Sequence, residues 1–150
     1  MLVYLVYAAV PVAVYLLLPR YTQRFSKKPV VLKKLLLIAG VLFSISHFLP
    51  TPLIHGQDTQ FSTHFIGGGI FSGLVWLFIK KNLRLDFGPA LELLSLYFLV
   101  SGLGVANELF EFAADELGFG EIPSGDTWWD LLANTLGALF FWIGYKIIER

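Results

Sequence analysis

Five apolar blocks, at residues 2–18, 35–49, 61–79, 90–112 and 128–148, take up most of the chain. A helix needs about 20 apolar residues to cross the hydrocarbon layer of a bilayer. The first, third, fourth and fifth blocks reach the usable range. The second reaches it if residues 30–32 extend it while Lys33 and Lys34 snorkel. Isolated strands would leave backbone groups unpaired in lipid. The pattern therefore predicts an all-α fold, a polytopic membrane helix bundle of about five transmembrane helices forming one integral membrane domain over residues 1–150. Four spans plus one interfacial segment is the alternative. The chain is 56% hydrophobic and only 15% charged, against about 25% charged in a typical soluble domain. That balance excludes a disordered chain, a coiled coil and an ordinary soluble enzyme.

The basic residues orient the bundle. All 11 Lys and Arg fall in three places. Arg20, Arg24, Lys27, Lys28, Lys33 and Lys34 lie between the first two blocks, Lys80, Lys81 and Arg84 between the third and fourth, and Lys146 and Arg150 at the end. In a five-span arrangement these places share one side. The positive-inside rule makes that side cytoplasmic, with the N-terminus outside and the C-terminus inside. The loops on the opposite side, 50–60 and 113–126, hold Asp58, Asp115, Glu116, Glu121 and Asp126 but no Lys or Arg. The first block has basic residues after it rather than before it, so it reads as a retained anchor, not a cleaved signal. Pro11 is expected to kink it. The localisation expected is the cell membrane, multi-pass. The 11 acidic residues cancel the 11 basic ones, so nothing draws the chain to nucleic acid.

Polar residues at membrane depth carry the functional information. His47 lies near the outer end of the second block and His64 near the outer start of the third. Asn107, Glu108 and Glu111 lie near the outer end of the fourth, and Asp130 and Asn134 in the first turns of the fifth. At about 1.5 Å of rise per residue, all of them fall within one slab of the outer leaflet. Ionisable groups there are costly and usually face the bundle interior or a wet cavity. Glu108 and Glu111 share a helix face at i,i+3, and Asp130 and Asn134 share one at i,i+4. The expected result is an acidic pocket of Glu108, Glu111, Asp130 and Asn134, with Asp126 at its edge.

Such a pocket could hold a divalent ion (zinc, manganese or calcium) on His47, His64, Glu108 and Glu111. Without metal, crowded carboxylates raise one another's proton affinity and can act as an acid/base pair. The plainer readings are a capping box from Thr127 to Asp130, interfacial histidines, and Asn134 joining helices through a hydrogen bond. The chain has no cysteine, which excludes disulfides, thiolate catalysis and Cys-ligated zinc or iron–sulfur centres. Gly67, Gly68, Gly69 and Gly73 permit close helix approach, and the Gly69/Gly73 pair could also serve a homo-oligomer. Trp128 and Trp129 sit where an interfacial aromatic belt belongs.

The segment Asn107-Glu108-Leu109-Phe110-Glu111-Phe112, followed by Gly125-Asp126-Thr127-Trp128-Trp129-Asp130 and then Asn134 and Gly137-Ala138, resembles the VanZ-like small membrane proteins. It is also similar to the YjdF-type membrane proteins, and the Glu-xx-Glu form is closer to that type. VanZ-like proteins usually carry Gln at the place of Glu111 and an Arg in the loop that follows. The resemblance covers residues 64–144. It implies a multi-pass membrane protein and, through the VanZ name, an influence on teicoplanin susceptibility. Four functions fit these residues. The first is binding of an envelope lipid or amphiphile in the outer leaflet, with membrane lipids as partners. The second is a metal-dependent membrane hydrolase of lipid esters or phosphates. The third is a small accessory subunit. The fourth is a transporter, which apolar mid-helix segments disfavour.

Overall fold

The computed structural model describes residues 2–54, 56–118 and 127–149. His55, Glu121 and the candidate Asp126 lie outside them. The described residues form five helices and one hairpin. These are α1 (Leu2–Ser26), α2 (Lys33–Ser46), β1 (Leu53–Ile54) paired antiparallel with β2 (Gln57–Asp58), α3 (Phe61–Leu83), α4 (Pro89–Glu116) and α5 (Thr127–Ile148). Helices α3, α4 and α5 are each long and apolar enough to cross a membrane.

Helix α1 outruns its apolar block. It continues through Pro11 and Pro19 to Ser26, helped by the Thr22 hydroxyl, which reaches the Leu18 and Pro19 carbonyls at 3.0 Å. Helix α2 is short. Its 14 residues cover about 21 Å, less than the hydrocarbon thickness. The expected extension through residues 30–32 does not form, because the backbone there is used elsewhere. The Val31 N–H donates to Asn82 Oδ1 at 2.8 Å, and Asn82 Nδ2 donates to the Val31 carbonyl at 2.9 Å. Leu32 then takes a left-handed conformation at φ 59°, and the helix starts at Lys33.

Helices α2 to α5 run alternately up and down. At one end Asn82 of α3 meets the α1–α2 linker, and Glu92 of α4 meets Lys146 of α5. At the other end Thr63 of α3 bonds the Ser46 carbonyl of α2, and His64 faces Asp130 of α5. The described Lys and Arg residues follow the first of these ends.

Burial is inverted relative to a water-soluble protein. Ser72, Lys80, Asn82, Glu92, Asp130 and Asn134 are buried, while Leu37, Phe98, Phe112 and Phe140 are each more than half exposed. An apolar exterior is stable when the surroundings are also apolar. The interior holds two apolar groups. One gathers Leu36, Ala39, Phe71, Leu74, Val75 and Phe78, and the other Trp76, Leu96, Val100 and Ala138.

Helices α3 and α5 approach backbone to backbone. A Cβ on Gly69 would lie 2.5 Å from the Asn134 carbonyl oxygen and 2.6 Å from Gly137 Cα. One on Gly137 would lie 2.0 Å from the Phe65 carbonyl oxygen, and one on Gly73 would strike the Phe141 ring at 2.3 Å. Gly69 and Gly73 are thus engaged with α5 of the same chain. The Gly67-Gly68-Gly69 run lies inside a π-helical stretch of α3, His64–Ile70, a form that often marks functional positions. Replacing Gly137 with Ala should lower the thermal midpoint of the purified protein clearly, since overpacking costs about 1–3 kcal/mol. Gly144→Ala, with open space around it, should leave the midpoint unchanged or raise it.

Candidate functional site

The acidic pocket forms between α3, α4 and α5. Glu108 and Glu111 on α4 and Asp130 on α5 each offer a carboxylate oxygen, and the three oxygens lie within 4.8 Å of one another. Asp130 is 2% exposed, and its Oδ2 stands 3.4 Å from His64 Nε2 on the first π-helical turn of α3. The close α3–α5 crossing brings this pair together. One turn deeper on α5, Asn134 is 4% exposed and lies between Gly68 of α3 and Gly104 of α4. Its Oδ1 has no hydrogen-bond partner among the described residues. The amide of Asn107 donates to Glu111 Oε1 at 2.8 Å and so fixes that carboxyl.

A cavity of about 330 Å³ opens beside this cluster. Val10, Phe43, Phe71, Val100, Leu103 and Phe110 provide apolar wall, and His64, Asn107, Glu111 and Asn134 provide polar wall. Among the described residues, neither Lys nor Arg lines it. Gln60 and Thr63 bring the start of α3 to its rim. The loop before them is held by Ser62 Oγ on the Pro50 carbonyl and by the Gln60 N–H on Asp58 Oδ1, both at 2.9 Å.

The sequence-predicted residues therefore fall into three groups. Glu108, Glu111 and Asp130 come together as a possible cation-binding set, with His64 beside Asp130. Asn134 lies one turn below. His47 lines the same cavity as Glu111, with its Nδ1 2.8 Å from the Phe43 carbonyl of its own helix. Trp128 is 80% exposed, as an interfacial belt residue would be.

The family model described as "Predicted membrane protein (DUF2238)" matches residues 2–150. The chain belongs to that family. The match makes it a membrane protein and does not single out the VanZ-like or YjdF-type proteins. No curated protein and no solved structure matches the chain.

A second polar cluster, at the opposite end, is not among the candidates read from the sequence. Glu92 is buried and ion-paired to both Lys80 and Lys146, with Lys146 Nζ at 2.5 Å. Lys80 Nζ also reaches the Tyr145 hydroxyl at 3.1 Å and lies 5.5 Å from the Trp76 ring centre. A signal was present: Lys80 and Glu92 flank a short turn between adjacent helices. Beyond the helix end, Glu149 is held at about 2, below the ordinary 4.5, first by the Tyr145 hydroxyl and then by Lys146. Its folded-state value is depressed. Any stability it contributes is therefore present above pH 4.5 and lost as pH falls toward 2.

Removing one partner of a buried pair leaves an uncompensated charge and costs about 3–5 kcal/mol. Glu92→Gln should therefore lower the thermal midpoint strongly. The Lys80→Met/Glu92→Leu double variant should recover most of the loss. A Glu92→Gln protein as stable as the parent would show that the Lys80–Glu92–Lys146 contacts do not stabilise the fold.

Proposed function

We propose that the chain is a five-pass protein of the cell membrane, N-terminus outside and C-terminus inside, that binds an envelope lipid or other amphiphile in the cavity lined by α2, α3 and α4, with Val10 of α1 and Asn134 of α5 at its wall. The cavity carries this reading. It has the size of a small-molecule site, where pockets run from about 300 Å³ upward. Its wall is apolar along its body and polar at one end, which suits an acyl chain and a head group. The orientation rests on the described Lys and Arg, which lie at the bundle end away from the cavity. The cavity then opens in the outer leaflet. The resemblance to VanZ-like and YjdF-type proteins supports the same reading. A changed sensitivity to lipophilic antibiotics is the cellular effect that would follow from it.

Photolabelling tests the cavity directly. A neutral alkyl glycoside carrying a diazirine on its chain should label Phe43, Leu103 and Phe110 in the reconstituted protein. Ala106, which lines the cavity, offers a way to fill it, and Ala106→Trp should abolish that labelling. Labelling spread evenly over lipid-facing Leu109, Phe112 and Phe140 would contradict the proposal.

One observation favours a second reading, a metal-dependent hydrolase of lipid esters or phosphates. Three carboxylate oxygens within 4.8 Å of one another could share one divalent ion, a donor set that suits calcium, magnesium or manganese. Elemental mass spectrometry of protein purified without chelator should then find close to one ion per chain, lost on Glu108→Gln. Full biological activity in metal-free protein would eliminate this reading.

A further inference from the structure

The positive charges of the chain fall into two sets that the fold treats differently. Lys80, Lys81 and Lys146 are matched inside the chain, Lys80 and Lys146 to Glu92, and Lys81 and Lys146 to Glu149. Arg20, Arg24, Lys27, Lys28, Lys33 and Lys34 are not. The sequence holds no Asp or Glu before Asp58. Among the described residues, no carboxylate lies within ion-pair distance of these six. All six side chains are exposed.

An ordered corner of the fold presents them. Helix α1 continues past Leu18 to Ser26, about 12 Å further at 1.5 Å per residue, which carries it through the head-group layer. Pro19 and Thr22 are buried on its bundle side. Arg20 and Arg24 share one outer face at i,i+4, and Tyr21 and Phe25, both more than half exposed, share the next. Beyond Ser26 the linker is pinned, because Asn82 holds both the N–H and the carbonyl of Val31. Lys27 and Lys28 enter that linker, and Lys33 and Lys34 leave it in the first turn of α2. That turn contains no acidic residue, so the helix dipole adds to its charge rather than offsetting it.

The chain supplies no counter-charge here, and at this height in a membrane the available one is a lipid phosphate. Aromatic rings at head-group level anchor a helix at the interface, and clustered Lys and Arg attract anionic lipids. We propose that the α1–α2 corner is a docking surface for anionic phospholipid head groups in the leaflet at that end of the bundle. The six cations meet the phosphates, while Tyr21 and Phe25 seat at the edge of the acyl chains. The surface is open, so lipids exchange on it rather than stay bound. It is independent of the amphiphile reading of the cavity, whose polar groups lie at the other end of the bundle.

Electron spin resonance of spin-labelled lipids tests the surface, because it separates lipid immobilised on the protein from bulk lipid. Parent protein in phosphatidylcholine vesicles should immobilise trace spin-labelled phosphatidylglycerol about fivefold more strongly than spin-labelled phosphatidylcholine, the effect of one basic residue beside an anionic surface. The preference should vanish at about 1 M salt, where the Debye length falls to about 3 Å. The Lys27→Gln/Lys28→Gln/Lys33→Gln/Lys34→Gln variant should lose it at low salt. Arg20→Gln/Arg24→Gln should lose part of it, and serves if the fourfold variant does not fold. Lys81→Gln, which removes a cation already paired with Glu149, should keep it, and so should Ala106→Trp. Inorganic phosphate offers the same charge without a membrane, and should leave the preference unchanged at concentrations too low to alter the ionic strength.

Equal immobilisation of the two lipids by the parent would overturn the proposal, as would a preference that survives in the fourfold variant. A loss in Lys81→Gln as large as in the fourfold variant would reduce the effect to net charge and overturn it too. Loss in Ala106→Trp would put the anionic lipid in the cavity instead. Displacement by dilute inorganic phosphate would make the corner a free-anion site, and displacement by dilute polyglutamate would assign it to an acidic protein partner. Either result would replace the lipid surface.

Discussion

Backbone contact between α3 and α5 sets the geometry of the polar cluster. Gly69 and Gly137 bring the two helices so close that a single methyl group on either would collide with main-chain atoms of the other. In a bilayer, lipid tails are as apolar as leucine, so burying more hydrocarbon gives helices little reason to associate. Close packing of small residues supplies the attraction instead. That crossing places His64 against Asp130 and seats Asn134 over Gly68, so the site depends on the glycines although none of them carries a functional group.

Two polar layers then close the bundle at opposite ends. One is neutralised within the chain, where Lys80 and Lys146 bracket Glu92 and Tyr145 joins Lys80 to Glu149. The other carries three neighbouring carboxylates with a histidine against one of them. The second layer borders a cavity with apolar walls, and that is the physical basis for proposing a binding site there.

Much of this was legible in the sequence, for identifiable reasons. The blocks at 61–79, 90–112 and 128–148 foretold α3, α4 and α5 to within a few residues, because an uninterrupted apolar run leaves the backbone few alternatives in lipid. The i,i+3 pair Glu108/Glu111 and the i,i+4 pair Asp130/Asn134 were placed on facing sides because helical periodicity fixes which residues share a face. The boundary of α2 was not legible. It depends on one distant side chain, Asn82, that captures the Val31 backbone 51 residues away in sequence. The π-helical turn of α3 was equally hidden, since a glycine triplet permits a wider turn without requiring it.

The most direct measurement of whether this end of the bundle is a binding site is native mass spectrometry of the protein extracted gently from its own membrane. The parent chain should carry an added mass in the amphiphile range. Ala106→Trp, which fills the cavity and lies outside the α3–α5 crossing, should lose that mass while keeping its thermal midpoint. A parent chain that flies bare, or an adduct that survives in Ala106→Trp, would contradict the account and leave the carboxylate cluster as a layer of helix packing.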